Sequence, residues 1–183
     1  MKKFLPLAFF ILSFTGFVAC QVGWQTLFAE TTKKDARFSK YEQMFLKGQF
    51  ESIEGKRIDV SKLKSPVVIY NFWASWCNPC VEEIPSLMSL KKKFKDNEVQ
   101  VLAFNTDEDE QLKNIQKIKK KLNLTDEFTI IPDKNTKIAE SFNISAIPVT
   151  IIFSHGKVVH FSNGPMDFTS AEIIENMKKW IKD

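Results

Sequence analysis

"VVIYNFWASWCNPCVEEIPSL", from Val67 to Leu87, passes from an unbroken apolar run through two closely spaced cysteines into a helical pattern. Apolar strand formers without polar alternation are what a central strand covered on both faces requires. From Asn78 to about Lys95 apolar residues recur at helical spacing, and Pro79 is tolerated because first-turn amides have no intrahelical acceptor. Cys77 therefore falls at a helix N-terminus. Pro85 lies deeper, cannot donate to the Val81 carbonyl, and predicts a kink.

Outward from this stretch the elements alternate. "VQVLAFNT" (99–106) reads as a strand, residues 108–122 as a helix with Leu112, Ile115, Ile118 and Leu122 on its apolar side, and "FTII" (128–131) as a further strand. A helix over "NTKIAESF" (135–142) follows, then strands "VTIIF" (149–153) and "KVVHFS" (157–162) joined by a turn at His155 and Gly156. "SAEIIENMKKWI" (170–181) reads as a C-terminal helix. Upstream, "QFESIEGKRIDVSKLKS" (49–65) alternates about Gly55 as a hairpin does. The order predicts an α/β sandwich with a mixed central sheet, its last strand antiparallel because a hairpin delivers it.

With 183 residues, 44% of them apolar, the chain suits one globular domain with a leader. Its 17 Phe and 4 Trp supply burial that a disordered chain lacks. Formal charge is +4, half of it from Lys2 and Lys3, and that balance argues against nucleic-acid binding. The Lys91–Lys93 and Lys113–Lys121 clusters read as solvated helix faces, with docking to anionic lipid or an acidic partner as the other use.

After "MKK", the run "FLPLAFFILSFTGFVAC" has the basic start and apolar body of an export signal. Ala19 followed by Cys20 resembles the end of a bacterial lipoprotein signal, with Phe17 where Leu is usual. The absence of charge from Phe4 to Ala29 equally suits an uncleaved anchor, since about 20 apolar residues span a bilayer. Cleavage with release is the third outcome. We divide the chain into a signal or anchor (1–29), a polar tether that docks in part onto the domain (30–48), and the domain itself (49–183).

Three cysteines in an exported chain leave one over after any pair forms. Lipidation of Cys20 would leave Cys77 with Cys80. A CxxC ring encloses so little chain that loop entropy is a poor reason for it. A structural zinc site typically needs four ligands, and beyond the pair only His155 and His160 are available, in or beside a turn. Two sulfurs could hold a soft copper ion, so a copper-binding chaperone is the rival class; a peroxidase with one catalytic cysteine is another. Redox exchange is the favoured use. A helix N-terminus stabilises a thiolate, which makes Cys77 the nucleophile, and Cys80, one turn in, the resolving thiol of a mixed disulfide.

The quoted stretch resembles the thioredoxin superfamily, specifically the exported, membrane-tethered TlpA/ResA-like branch of thiol-disulfide oxidoreductases. The WCxPC motif, the Glu and Pro after it, and "ISAIPVTIIF" (144–153) carry the resemblance, which extends over about 49–183. It implies a thioredoxin fold with an added N-terminal hairpin and an inserted helix at "DEQLKNIQKIKKKLNL" (109–124). It implies that Pro148 follows a cis bond beside the cysteines, and that Ile147, where branch members often carry Thr, offers backbone to an extended substrate. Trp76, Pro79, Ile147 and Pro148 are the substrate-facing positions on this reading, whereas Trp73 belongs to the core.

Glu83 falls within the helical stripe of Ile84, Leu87, Leu90 and Phe94, while Glu82 points away. Together with the branch pattern, this makes Glu83 a buried carboxyl that exchanges a proton with Cys80. Asn71 stands where many thioredoxins carry a buried Asp, and its amide cannot do that work. The resemblance implies no cofactor beyond the Cys77/Cys80 disulfide. The implied task is reduction of disulfides in exported proteins, including apocytochromes c, with electrons from a membrane thiol carrier, on the periplasmic or another extracytoplasmic side. A general disulfide oxidant is the alternative direction, because CxxC potentials span a wide range.

Overall fold

The structure, a computed structural model, describes residues 38–125 and 128–183. The leader, Cys20 and the first part of the tether lie outside the described residues. Tyr41–Asp183 forms one compact unit; of the other, Met1–Lys40, the described residues 38–40 are helical. Among the described residues no helix is long and apolar enough to cross a membrane.

Residues 38–46 form α1, followed by the short strands β1 (Gln49–Glu51) and β2 (Arg57–Asp59), which pair antiparallel as the hairpin pattern predicts. Next come β3 (Val67–Trp73), α2 (Asn78–Lys93), β4 (Val99–Asn105), α3 (Gln111–Lys121) and β5 (Thr129–Pro132). The chain finishes with α4 (Lys137–Ser141), β6 (Val149–Ser154), β7 (Lys157–Asn163) and α5 (Ala171–Trp180). The main sheet has the order β5-β4-β3-β6-β7. β3 runs parallel to β4 and β4 to β5, while β6 is antiparallel to β3 and β7 to β6. This is the predicted mixed sheet, with α2 and α3 as the crossovers that parallel neighbours require. At the β6–β7 turn His155 and Gly156 both have positive φ, 48° and 80°, the geometry of a two-residue hairpin turn.

All seven residues of β3 are buried, and its side chains alternate between two different cores. Val67, Ile69 and Trp73 join Ile84, Leu87 and Leu90 of α2, Ile115 of α3 and Met177 of α5. Tyr70 and Phe72 face the other way, into an aromatic layer. Phe45 stacks on Phe153 at 4.2 Å between centroids, and Phe50 of β1 meets Phe104 edge-on at 4.9 Å. Tyr41 and Phe45 are buried in this layer, so residues 41–48, which the sequence reading gave to the tether, are part of this compact unit. Gly48 allows the hairpin to follow closely: a side chain there would meet Phe50 and Val60 at 2.9 Å.

The helix predicted over 108–122 begins only at Gln111, after Glu110 adopts a left-handed conformation (φ 45°). Ile115 and Ile118 are buried, but Leu112 is 57% exposed. The apolar stripe is one turn longer than the surface that covers it. α2 runs unbroken through Pro85.

The Tyr70 hydroxyl is buried and has no hydrogen-bond partner among the described residues, and its burial raises the phenol pKa far above its ordinary value. An orphaned buried hydroxyl costs about 1–3 kcal/mol. Tyr70→Phe is therefore expected to stabilise the protein by about 1 kcal/mol or more, read as an increased urea midpoint at unchanged slope; a lowered midpoint would show that the hydroxyl has a partner.

Candidate functional site

The C-terminal end of β3 hands the chain to α2 through Ala74, Ser75 and Trp76. Cys77 is the N-cap of α2, with extended backbone (φ −86°, ψ 97°), and its sulfur accepts the Cys80 N–H at 3.3 Å. Such a cap directs helix N–H groups and the positive end of the helix dipole at Sγ. Pro79 occupies the first turn, as predicted, where no backbone N–H is needed. Cys77 and Cys80 are joined in a disulfide with Cα atoms 5.3 Å apart. Cys77 keeps 7% of its surface and Cys80 none, so an attacking group reaches Cys77 first.

The cis peptide bond lies between Ile147 and Pro148, at the position that the resemblance implied. It leads into β6, and the Ile147 carbonyl oxygen sits 4.0 Å from Cys77 Sγ. In the oxidised pair this sulfur carries no proton, so the approach is a contact and not a donated bond. Gly164 N–H donates to the Pro148 carbonyl at 2.9 Å, tying the segment after β7 to the same corner. Trp76 is 69% exposed beside Cys77, whereas Trp73 is buried in the core.

Glu83 lies two turns along α2 and is 4% exposed. Its Oε1 accepts from Asn71 Nδ2 at 2.8 Å and its Oε2 from the Met166 N–H at 2.9 Å. Asn71 also donates to Thr150 Oγ1 on β6 at 3.1 Å. Burial pushes the Glu83 carboxyl above its ordinary pKa, against the Met166 and Asn71 hydrogen bonds, which pull it down. The first effect is the larger: a buried charge loses more solvation than two donors return. The helical projection thus placed Glu83 inward correctly. It missed the partners, because Asn71, Thr150 and Met166 come from three separate segments and only the sheet assembles them.

A second buried carboxylate, Asp107, lies just beyond β4 and accepts the Ser75 N–H through Oδ1 at 2.8 Å. No pattern in the sequence distinguishes it from Glu108, Asp109 and Glu110, which are exposed. His155 occupies the β6–β7 turn, and His160 on β7 lies against Trp180, with ring centroids 6.2 Å apart. Among the described residues, no three His, Cys, Asp or Glu side chains gather as metal ligands.

The Redoxin family model matches residues 43–177. "Thiol-disulfide oxidoreductase ResA" of one Bacillus cereus strain is 35% identical over 108 residues, 58% of this chain and 60% of that protein. The match thus spans less than two thirds of that relative's length. The protein of the same name from a second Bacillus cereus strain is 31% identical over 149 residues, 78% of this chain and 82% of the relative. Among solved structures, StoA from Bacillus subtilis superposes with a TM-score of 0.58 at 24% identity, over 73% of this chain and 94% of StoA; at that identity the likeness speaks for the fold. A CxxC pair capping a helix at the end of a buried strand, the family match and these relatives agree: the chain belongs to the Redoxin family, among its thioredoxin-fold, ResA-like thiol-disulfide oxidoreductases.

Proposed function

We propose that this protein reduces disulfides of exported proteins through Cys77 and Cys80, on the extracytoplasmic side of a bacterial membrane to which its N-terminal segment tethers it. The observation that carries the reading is the placement of Cys77: it caps α2, it is the more exposed sulfur of the pair, and an apolar side chain, Trp76, stands open next to it. In the reduced protein the Cys77 thiolate attacks one sulfur of the substrate disulfide. That bond breaks, a mixed disulfide forms, and the released substrate sulfur takes up a proton. Cys80 then gives its proton to Glu83 and attacks Cys77 Sγ, which frees the second substrate thiol and leaves the Cys77–Cys80 disulfide. Two electrons from a membrane thiol carrier restore the dithiol, and no cofactor besides the pair takes part. Disulfides of apocytochromes c are among the expected substrates. Ile147, preceding the cis bond, offers its backbone to the substrate, and Pro79, Trp76 and Pro148 frame its approach.

The full-length protein, reduced with dithiothreitol, is expected to reduce insulin disulfides, and Cys77→Ser to abolish the reaction. Cys80→Ser should instead accumulate the mixed disulfide with substrate. Equal activity in wild type and Cys77→Ser would remove the oxidoreductase reading. Equilibration with glutathione sets the direction: a potential near or below about −270 mV, as in thioredoxin, marks a reductant, and one near −120 mV an oxidant. Mass spectrometry of the N-terminus would read lipid on Cys20, an intact leader or cleavage.

The raised pKa of Glu83 has a thermodynamic signature. Between its ordinary value of 4.5 and its higher value in the folded state, the folded protein binds more protons than the unfolded chain. Stability is therefore greatest below this window and falls as pH rises through it. Glu83→Gln should flatten that part of the profile in urea titrations of the oxidised protein, and in the reduced protein should shift the Cys80 titration. An unchanged thiol titration would remove the proton-transfer role.

A further inference from the structure

The turn that presents Cys77 is held by groups outside the CxxC motif. Where β3 ends, Thr106 N–H donates to the Trp73 carbonyl at 2.9 Å, and Cys77 N–H closes the turn onto the Ala74 carbonyl at 3.2 Å. Ser75, between these two bonds, is beyond the sheet ladder, and its N–H goes to Asp107 Oδ1 at 2.8 Å. Asp107 is itself clamped. Its Oδ2 accepts from Asn105 Nδ2 at 3.2 Å, and its own N–H donates to Asn105 Oδ1 at 3.1 Å. Gln111 Nε2, at the start of α3, donates to the Asn105 carbonyl at 2.9 Å. Asp107 is 3% exposed and Asn105 fully buried, so this knot is buried with the core on which it sits.

Its charge matters as much as its geometry. Both oxygens of Asp107 accept from N–H donors, and among the described residues no Lys, Arg or His forms an ion pair with it. Consecutive Cα atoms are about 3.8 Å apart, so the contact at Ser75 puts a negative charge without an ion-pair partner among the described residues two residues from the nucleophile. A negative charge there acts against the Cys77 thiolate, opposing the helix N-terminus that favours it. Destabilising the thiolate destabilises the reduced pair relative to the disulfide, which lowers the reduction potential.

We propose that Asp107 is a positioning residue for Cys77: by holding the Ser75 N–H it places the cysteine at the α2 cap, and by its charge it keeps the pair reducing. The charge effect deepens the reductant reading above and rests on it for its biological sense. The shift itself is a property of the thiol pair, measurable with glutathione alone.

Two substitutions in the full chain, in detergent, separate the parts. Asp107→Asn keeps an oxygen for the Ser75 N–H and removes the charge; Asp107→Ala removes both. Glu83 is retained in each. With Asn, the glutathione equilibrium is expected to move toward the dithiol by about threefold to tenfold, or about 15 to 30 mV for this two-electron couple, and Cys77 to titrate at lower pH. With Ala, the same shift should come with an insulin-reduction kcat about tenfold lower at similar KM, and Asn should recover most of that kcat. An unchanged equilibrium and Cys77 titration in Asp107→Asn overturns the charge role. An Ala variant that folds and matches wild-type kcat overturns the positioning role. Where Ala fails to fold, the Asn variant decides the charge role, and Ser75→Pro, which removes the N–H that Asp107 holds, takes the place of Ala for the positioning role, with the same loss of kcat expected and an unchanged kcat overturning it. A wild-type potential near that of an oxidant would instead overturn the reductant reading while leaving the Asp107 shift to be measured.

Discussion

Seven consecutive residues of β3 are withdrawn from water, and a strand in that position must be covered on both faces at once. Helices α2, α3 and α5 cover one face with aliphatic side chains. On the other, α1, the β1–β2 hairpin and the segment after α4 bring Phe45, Phe50 and Phe142 against Tyr70, Phe72 and Phe104. The two cores grip the strand along its whole length. Its end, where Cys77 begins α2, inherits that rigidity, and the redox pair needs it because exchange depends on which sulfur an incoming group can reach.

The site places carboxylates in two different polar surroundings near one pair of sulfurs. Glu83 is buried with a raised pKa and only two donors, conditions that suit a proton acceptor. Asp107 is tied to backbone and amide N–H groups at the mouth of the turn, contacts that fix its place beside Ser75. Asn71 links the first of these to the sheet: it bridges Glu83 on α2 and Thr150 on β6. A neutral amide in the middle of β3 thus connects both sides of the site without adding a second titrating group.

Much of this was legible along the chain because it depends on local chemistry. Unbroken apolar residues in β3, the tolerance of Pro79 at a helix start, and the inward projection of Glu83 each follow from the period or stereochemistry of one element. Leu112 shows the limit of such reasoning. Its spacing from Ile115 and Ile118 matches a buried stripe, yet it is exposed, because periodicity describes a helix face and not how far the neighbouring surface extends. The polar segment before the hairpin shows the converse: Tyr41 and Phe45 join the core, since two aromatic anchors on one helix bury well amid charged neighbours.

By itself the sequence determined the order of elements from the hairpin onward and the helix-capping position of Cys77, and it favoured redox use of the cysteine pair, all set by residues within a few positions of one another. Tertiary structure alone decided which groups surround that chemistry. Met166 reaches Glu83 from 83 residues away, Thr150 meets Asn71 from 79, and Asp107 reaches Ser75 from 32. Contacts of that range are made by packing strands side by side, and nothing in the local pattern of Asp107 separates it from the acidic residues that follow it.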